Sequence, residues 1–480
     1  MGASMKNNQR MAILVADLGY GDAGKGSIVD YLTREHQAHT VVRYNGGAQA
    51  AHNVLTADGR HHTFAQFGSG SLVPGTRTHL SRFMIIHPLA MLAEERHLQS
   101  LGVHDAFERM SIDREALITS SFQQSANRIK EIARGSARHG SCGMGVGETM
   151  SDWLSHGSQA LVAGDLENRQ TVVKKLGFLK EAKLAGLKAL RGSMPDSDAA
   201  RQEWQTFDDP NLIEVIADFY ERFAQLVRIV DAQSFGKSLE KPGAVIFEGA
   251  QGVLLDEWYG FAPYNSWSTL TFKNADNLLA EQGYDGQVLK LGLTRGYATR
   301  HGAGPFVTED EVLTQRIQDA HNANNPWQRK FRVGYLDFVA TRYAMAVTGK
   351  LDGLVVTNLD RMQALDEWKT CAAYQATDED LQNGEFFEME QGRVSDIKVP
   401  ADPTDLEKQA QLTDRLFRMQ PIYTPCETDP QAYVDFISRT LDVPALITSN
   451  GPLAEDKINN QHAEFADQSL FSWNPRKSAA

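Results

Sequence analysis

The amino-acid sequence predicts an α/β protein built on a large, mostly parallel central sheet flanked by helices. Apolar runs of buried-strand length recur along the chain, at residues 12–16, 39–44, 244–247, 287–293, 354–356 and 445–447. Each run is followed by a short cluster of Gly, Asp, Asn, Gln or His residues. Since ligands collect at the carboxyl ends of parallel strands, we expect one site fed by several strands.

The first of these runs leads into a predicted phosphate-binding loop. Residues 11–30, MAILVADLGYGDAGKGSIVD, have the pattern of a buried strand, a glycine-rich loop and a helix. Glycines let backbone N–H groups approach phosphate oxygens, the helix N-terminus adds partial positive charge, and Lys25 adds a full charge. The spacing is tighter than in a standard Walker A loop. The three glycines are Gly21, Gly24 and Gly26.

Asp22 is the unusual residue of this loop, because a carboxylate aimed at phosphates repels them. It is compatible with phosphate binding if it holds Mg²⁺ or takes a proton from a substrate, which suggests chemistry as well as binding. The alternative is an aspartate that caps the following helix beside a solvated lysine.

Two further segments are candidates for the same site. His52 follows the second apolar run, and it is either a proton donor to a phosphoryl-accepting oxygen or a loop histidine bonded to a carbonyl. Residues 135–147 contain a second glycine-rich loop, which either closes over a ligand phosphate or serves as a linker. On the residues alone the loop-histidine interpretation of His52 is favoured, and the two interpretations of residues 135–147 stay open.

Composition and charge argue against several classes of protein. The net charge is -13 with a pI of about 5.6, and no Lys/Arg run is long enough for a nucleic-acid footprint. No apolar run approaches the ~20 residues that span a bilayer, and the polar first ten residues lack a signal-peptide core. The cysteines are scattered and show no C-x-x-C spacing, so we expect neither a zinc site nor a disulfide framework. This fits a reducing compartment, and we expect a cytoplasmic location. The three cysteines are Cys142, Cys371 and Cys426.

We predict one large domain over residues 11–473, with a mostly helical insertion at about 148–232 and a strand-rich appendage at about 366–422. Residues 1–10 are expected to be disordered and residues 474–480 to form a mobile tail. A helix beginning at Asp209-Pro210 carries an apolar face that we interpret as core. That face comprises Leu212, Ile213, Ile216, Phe219, Phe223, Leu226 and Val230.

Six ordered motifs resemble those of adenylosuccinate synthetases, over residues 12–452. They are GDAGKG (21–26), VVRYNGGAQAAH (41–52), EGAQGVLLD (248–256), TRHGAGPF (299–306), TNLD (357–360) and SNGP (449–452). The resemblance implies a P-loop-like, GTPase-related ligase fold and a cytoplasmic homodimer that uses Mg²⁺. It also implies a two-step reaction, in which a nucleoside triphosphate, usually GTP, phosphorylates the purine 6-oxygen of IMP and the amine of aspartate then displaces that phosphate.

The resemblance also implies roles for individual residues. Asp22 would take the purine N1 proton and bind Mg²⁺ with the backbone carbonyl of Ala51, while His52 would stabilise charge on the transferred phosphoryl group. Asp360 would accept hydrogen bonds from a guanine. The triphosphate would contact Gly21, Gly24, Lys25, Gly26, Ser27, Asn358, Asp360, Ser449 and Gly451. The acceptor nucleotide would contact Asp22, Gln49, Ser141, Cys142, Gln251 and Ser266, with Gln251 near the reacting carbon.

The departures from the family pattern cluster on the acceptor and amino-acid side. The family's His-Asn pair is Ala48-Gln49, and its Thr-Thr-Gly-Arg loop, which grips the IMP phosphate, is residues 141–144, Ser-Cys-Gly-Met. The arginine that a neighbouring subunit lends to that phosphate aligns with His156. The lysine of the usual guanine motif is Asn358.

The aspartate-binding loop of the family departs as well. Its Thr-Thr-Gly-Arg-Arg-Arg-Arg stretch becomes residues 326–332, PWQRKFR, in which Arg329 and Arg332 survive as candidates for the amino-acid carboxylate. Phe331 replaces one arginine, which removes a charge-assisted contact worth about 1.5–3 kcal/mol if buried.

Two alternatives to the IMP reaction follow. One is a relative that uses dGMP, although the phage-borne enzymes of that kind tend to replace the catalytic aspartate with a small residue, whereas Asp22 is retained. The other is a nucleotide-binding protein that has lost catalysis. It predicts a damaged reaction centre, whereas Asp22, Lys25, His52 and Gln251 are all present.

Overall fold

The structure is a computed structural model that describes residues 9–135, 141–317, 331–377 and 384–460. Its strands are β1 (Arg10–Asp17), β2 (Thr40–Arg43), β3 (His52–Leu55), β4 (His61–Phe64), β5 (Arg77–Leu80), β6 (Ile85–Ile86), β7 (Met110–Asp113), β8 (Leu117–Ile118), β9 (Arg228–Val230), β10 (Gly243–Glu248), β11 (Gln287–Arg295), β12 (Tyr297–His301), β13 (Phe331–Asp337), β14 (Gly353–Thr357), β15 (Trp368–Gln375), β16 (Phe387–Glu390), β17 (Arg393–Ile397), β18 (Gln420–Cys426), β19 (Ala445–Ser449) and β20 (Lys457–Asn459).

The α-helices follow the same chain order. They are α1 (Lys25–Glu35), α2 (Pro88–Ser100), α3 (Ser121–Arg134), α4 (Val146–His156), α5 (Arg169–Leu187), α6 (Asp198–Asp208), α7 (Leu212–Leu226), α8 (Ala232–Leu239), α9 (Lys273–Glu281), α10 (Glu311–Arg316), α11 (Phe338–Thr348), α12 (Leu359–Met362), α13 (Leu406–Leu416) and α14 (Pro430–Leu441). None of the helices in the described ranges combines the length and apolar character needed to cross a membrane.

A ten-stranded sheet forms the centre of the molecule, in the order β20-β19-β14-β11-β1-β10-β2-β5-β7-β9. Its neighbouring strands pair in parallel, except for β20, which runs antiparallel to β19. This confirms the predicted α/β class and mostly parallel sheet. The six apolar runs of the sequence all lie in this sheet, so their polar carboxyl-terminal clusters share one edge.

Strand β1 is buried on both faces. Ala12, Leu14 and Ala16 pack into one hydrophobic core, and Ile13 and Val15 pack into another beside helix α1. Because successive strand residues point to opposite faces, a continuous apolar run is needed to fill both cores.

A second, six-stranded sheet lies on the carboxyl side of the chain, in the order β12-β13-β15-β17-β16 with β18 paired to β15. Strands β15, β16 and β17 and the start of β18 lie within the residues predicted as a strand-rich appendage, and helix α13 lies there as well. The predicted insertion contains helices α4 to α7. The expected disorder of residues 1–10 is wrong at Arg10, which begins β1 and pairs with Gly243 of β10. Residues 1–8 and 474–480 lie outside the described residues.

The predicted apolar face of the helix after Pro210 is only partly correct. Ile216 and Phe223 are buried in a core, but Leu226 at the end of α7 is 49% exposed. Val230 lies in strand β9, because the chain leaves the helix at Val227 and pairs with β7. The periodicity continued past the true end of the helix, where no proline or glycine marks the stop.

The N-cap of helix α2 is a buried histidine, and its protonation makes the stability of the fold depend on pH. His87 at its N-cap accepts a hydrogen bond from Ala90 N–H through Nδ1, so that nitrogen must be unprotonated. Burial lowers the pKa of His87 to about 4. Between pH 6.5 and 4 the unfolded chain therefore binds more protons than the native state, and stability falls as the pH falls.

Replacing His87 with asparagine, which can cap a helix but does not titrate, is expected to flatten this dependence. From pH 6.5 to 5, the free energy of unfolding of the unmodified protein should fall by about 2 kcal/mol more than that of His87→Asn, since each pH unit is worth about 1.4 kcal/mol per proton. Urea unfolding at each pH measures both slopes. Equal slopes would show that His87 does not carry the effect.

Candidate active site

The glycine-rich loop joins β1 to α1 as the sequence predicts. Gly24 adopts φ +80 at the N-cap of α1, a conformation that favours glycine. A Cβ on Gly26 would lie 2.8–2.9 Å from backbone and Cβ atoms of His52 and Asn53, so only glycine allows this approach. The loop and the residue predicted to act on the transferred phosphoryl group are therefore in direct contact.

Asp22 lies at the tip of the loop in a left-handed conformation, with φ +63. Its backbone carbonyl accepts a hydrogen bond from Arg295 Nε at 2.6 Å, and its carboxylate Oδ2 lies 3.3 Å from His301 Nε2. The Asp22 side chain is 27% exposed. Backbone strain held by such contacts is typical of residues that must be pre-positioned.

His52 is held by a buried carboxylate. Its Nδ1 lies 2.6 Å from Glu248 Oε1, and Glu248 also accepts hydrogen bonds from the Ser69 backbone N–H and hydroxyl. Burial lowers the pKa of His52, against the opposing effect of Glu248. With Nδ1–H donating to the carboxylate, the neutral ring carries its lone pair on Nε2.

Glu248 remains ionised because a buried cation stands beside it. Arg43 lies opposite Glu248 in the β2–β10 pairing, and both side chains are fully buried. Burial raises the pKa of Glu248, but the charge of Arg43 and the hydrogen bonds from His52 and Ser69 outweigh it, so the net pKa lies below the ordinary value. The ionised carboxylate can therefore stabilise His52 when it gains a proton.

Gln251 lies between the loop after β1 and the loop after β2. It adopts φ +51, and its backbone lies against Gly21, where a Cβ would be 3.7 Å away. The Gln251 amide lies near Gly46 of the loop after β2, and that loop is fixed by Asn45, which accepts from the Ala250 N–H at 2.7 Å. The phosphate-binding loop, the β2 loop and the β10 loop thus meet at Gln251.

Three predicted acceptor-side residues carry buried oxygen atoms with no hydrogen-bond partner within the described residues. They are Gln49 Oε1, Gln251 Oε1 and Ser266 Oγ. Buried polar atoms are nearly always paired in folded proteins, by protein, water or ligand. This group is therefore consistent with a polar ligand that completes the hydrogen bonds.

The loop after α3 approaches from the other side. Ser141 exchanges hydrogen bonds with Asn127, and Arg128 Nε donates to the Gly143 carbonyl. Burial raises the pKa of the Cys142 thiol, so this side chain is a neutral group at physiological pH. His156, which stands in the place of the lent arginine, is exposed at the end of α4.

The predicted triphosphate-base residues lie at the ends of β14 and β19. Asn358 adopts φ +57 and begins the short helix α12, which carries Asp360 in its first turn. Lys457 Nζ donates to the Gly451 and Leu453 carbonyls and lowers their freedom to move. Burial lowers the pKa of Lys457 to about 8, against the opposing charges of Asp456, Asp30 and Asp360.

The Ser449 hydroxyl donates to the Gly451 carbonyl. Gly24 of the phosphate-binding loop faces Thr357, whose hydroxyl donates to the Ala23 carbonyl at 3.0 Å. The loop and the β14 end are therefore in contact, as a site spanning phosphates and base requires.

Of the two predicted amino-acid-binding arginines, Arg329 lies outside the described residues. Arg332 pairs with Glu309 at 2.6 Å and donates to the Gly304 carbonyl. Its Nε is buried and has no partner within the described residues. Arg332 thus retains one donor for a ligand.

Sequence reasoning did not single out His301 and Arg295, which contact Asp22. Phe331 stands directly opposite His301 in the β12–β13 pairing, with ring centroids 4.9 Å apart, and the Arg295 guanidinium lies 6.0 Å from the Phe331 ring. The Phe331 ring thus lies near both His301 and Arg295, the two residues that contact Asp22. The available signal was the position of Arg295 at the end of an apolar run.

The residues implied for Mg²⁺ suit it chemically. The Asp22 carboxylate and the exposed Ala51 segment offer oxygen ligands, which Mg²⁺ prefers, and Mg²⁺ is usually held by one or two carboxylates with substrate phosphates and water. Among the described residues, no group of three or more His, Cys, Asp or Glu side chains is placed to hold a metal. The site therefore fits a metal that arrives with a phosphate ligand.

The fold and this strand-end cluster define a nucleotide-binding α/β protein with a phosphate-binding loop. The family model of adenylosuccinate synthetase matches residues 14–458. The chain belongs to the adenylosuccinate synthetase family, and it is thus an enzyme of the purine-nucleotide ligase class. The adenylosuccinate synthetase of Chlorobium chlorochromatii is 29% identical over 472 residues, covering 93% of this chain and 97% of the relative. That of Cyanothece sp. is 30% identical over 454 residues, covering 92% of each.

Two solved structures share the fold. Fully ligated adenylosuccinate synthetase of Plasmodium falciparum superposes with a TM-score of 0.73 at 22% identity, covering 94% of this chain and 99% of that one. The succinoaminodeoxyadenylate synthetase of cyanophage S-2L, bound to dGMP and to dATP as an energy donor, gives 0.51 at 14% identity, covering 94% and 95%.

Proposed function

We propose that the protein joins an amino acid to a purine nucleoside monophosphate in two steps, with IMP, GTP and aspartate as the expected substrates. One observation carries the proposal: the phosphate-binding loop, His52 and Gln251 meet at one edge of the sheet, beside buried oxygen atoms that lack partners. A site for binding alone would not require a carboxylate at the loop tip or a histidine held by a buried glutamate.

In the first step, Asp22 takes the purine N1 proton, which raises electron density on the 6-oxygen. The bond from the γ-phosphorus to the β,γ-bridging oxygen breaks and a bond to the purine 6-oxygen forms. His52 stabilises the charge on the phosphoryl oxygens, aided by Glu248, and Lys25 with the loop amides holds the donor phosphates. The Asp22 carboxylate and the Ala51 carbonyl would hold Mg²⁺, which would neutralise further charge on the phosphates.

In the second step, the amine of the amino acid attacks the purine C6, and the C6–O6 bond breaks. The phosphate leaves with the original 6-oxygen and takes up the proton that the amine loses, so it departs as hydrogen phosphate. Gln251 orients the purine edge throughout. Gln49, Ser141, Cys142 and Ser266 contact the acceptor nucleotide. Asn358, Asp360, Ser449 and Gly451 hold the base end of the triphosphate.

Oxygen-18 labelling tests this sequence of steps directly. The enzyme is incubated with IMP labelled at the 6-oxygen, GTP, aspartate and Mg²⁺, and the released phosphate is analysed by mass spectrometry. Label in the phosphate and a succinyl-purine product support the proposal. Unlabelled phosphate, or hydrolysis of GTP without amino acid and acceptor, would refute it.

A dGMP acceptor is a second candidate, because the departures at Ala48-Gln49 and residues 141–144 both lie on the acceptor side. The same assay with dGMP in place of IMP, and with ATP in place of GTP, identifies the pair with the highest kcat/KM. A preference for dGMP would change the acceptor without changing the order of the steps.

Arg332 provides a test of the amino-acid site. The substrate carboxylate would accept a hydrogen bond from Arg332 Nε, which has no partner within the described residues, while Nη1 stays paired with Glu309. Arg332→Ala should therefore raise the amino-acid KM about tenfold, with the triphosphate KM changed less than about twofold. Steady-state kinetics with each substrate varied gives both values. The control is Arg316→Ala, which removes a surface arginine paired with Asp366. Equal effects on both KM values would place the carboxylate elsewhere.

We further propose a cytoplasmic homodimer. All three cysteines are free thiols, as expected of a reducing compartment. Trp153 and Leu154 on α4 are 43% and 67% exposed, close in sequence to His156, which is consistent with a subunit contact there.

A further inference from the structure

A buried carboxylate occupies the inner side of the phosphate-binding loop. Asp17, the last residue of β1, accepts hydrogen bonds from the Gly19 N–H at 2.9 Å, the Ala23 N–H at 2.9 Å and Lys25 Nζ at 2.8 Å. The side chain of Asp17 is 0% exposed and that of Lys25 is 3% exposed. In the part of the chain that the structure describes, Asp17 is the hydrogen-bond partner of the Lys25 ammonium.

These donors are of the kind that a phosphate-binding loop offers to a phosphate. Backbone N–H groups and a lysine ammonium form an anion site when they converge on one point. Here two loop amides and the ammonium converge on a carboxylate of the chain itself. Asp17 therefore accepts from the same donors that a bound anion would use.

We propose that Asp17 is an internal counter-ion that holds Lys25 until a polyphosphate competes for it, and thereby sets the affinity and charge selectivity of the loop. The inference rests on the proposed triphosphate site. Without Asp17 the buried Lys25 ammonium would have no counter-charge among the described residues, which is costly, and the pairing with Asp17 removes that cost. A ligand must then interact with the Lys25 ammonium more strongly than the Asp17 carboxylate does.

Because of this competition, the affinity of the loop should depend on how many phosphate oxygens a ligand brings to Lys25. A nucleoside triphosphate with Mg²⁺ surrounds the ammonium with several phosphate oxygens, whereas inorganic phosphate presents few. Removing the carboxylate should therefore strengthen the binding of both ligands. A residue that only shaped the loop would have the opposite effect, because a neutral acceptor holds the loop amides and Lys25 less firmly than a carboxylate does.

The test is calorimetric titration of the full chain with Mg²⁺ and a GTP analogue that has a non-hydrolysable β,γ bond. Asp17→Asn keeps an acceptor but removes the charge, and it should bind the analogue about tenfold more tightly. Asp17→Ser, with a smaller uncharged acceptor, should bind more tightly as well and provides a second variant if the first does not fold. In a Lys25→Met background, Asp17→Asn should no longer increase affinity.

Asp113→Asn is the matched control, since Asp113 is also a buried aspartate at the end of a parallel strand and accepts a backbone N–H, from Glu115. It should leave the affinity unchanged. If the unmodified protein binds the analogue and the Asp17 variants bind it equally or more weakly, the counter-ion is refuted and the proposed function stands. If the unmodified protein does not bind the analogue, both fail.

Discussion

Asp22→Asn is expected to abolish turnover while leaving the fold intact. Asparagine has the shape of aspartate but neither accepts the purine proton nor binds Mg²⁺ as a carboxylate does, so kcat should fall by at least about 10³-fold. It is preferable to alanine because Asp22 has φ +63, a conformation that asparagine tolerates and alanine does not. Product formation and thermal unfolding, measured on the same preparation, separate chemistry from stability.

Asp442→Asn is the control for that substitution. Asp442 also adopts a left-handed conformation, with φ +53, at the C-cap of α14 and away from the strand-end cluster. It should retain full turnover. An Asp22→Asn enzyme with more than about a tenth of the normal kcat would exclude Asp22 as the base, since proton transfer typically contributes 10²–10⁴-fold.

Glu248→Gln is expected to reduce both activity and stability. The substitution removes the carboxylate that stabilises protonated His52, so kcat should fall about 10²-fold. It also removes the anion that the buried Arg43 charge faces across the β2–β10 pairing, which should cost about 1–3 kcal/mol of unfolding free energy. Initial rates at saturating substrate and urea unfolding at pH 7.5 measure the two effects.

The stability effect should depend on pH. The pKa of Glu248 lies below its ordinary value, so its stabilising contribution is present above the pKa of an unfolded glutamate and is lost as the pH falls through the native value. The difference between Glu248→Gln and the unmodified protein should therefore narrow below about pH 4.5.

Glu94→Gln is the matched control for Glu248. Glu94 is buried and accepts backbone N–H groups from Ala65, Gln66 and Phe67, but it lies outside the strand-end cluster. It should lower stability without lowering kcat. A similar loss of kcat in both variants would attribute the Glu248 effect to general destabilisation.

Sequence reasoning predicted the parts of the fold that local patterns determine. The strands now seen as β1, β10, β11, β14 and β19 were each marked by a continuous apolar run, because a strand covered on both faces needs one. Where one helix ends and a short edge strand begins, as at Val227, the apolar pattern continues and gives no boundary. The helix α13 within the strand-rich appendage was missed for a related reason, since only its amphipathic face marks it.

The sequence indicated which segments form the candidate site, but not which side chains pair across it. Polar clusters at strand ends indicated which segments meet, since parallel strands place their carboxyl ends together. The pairing of His52 with Glu248, and of Asp22 with His301, depends on strand order, which a single sequence does not encode locally. The pairing of Asp17 with Lys25 was not predicted either, although Asp17 ends an apolar run eight positions before the loop lysine.

The place of β1 in the central sheet has a consequence for biosynthesis. Its two neighbours, β10 and β11, begin at Gly243 and Gln287, so β1 has no native partner in the sheet until synthesis has reached Gly243. At ordinary translation rates this interval is roughly 10–50 s. For that time a nascent polypeptide displays an apolar segment with open hydrogen-bonding edges, the feature that chaperones shield and that promotes aggregation when they are absent.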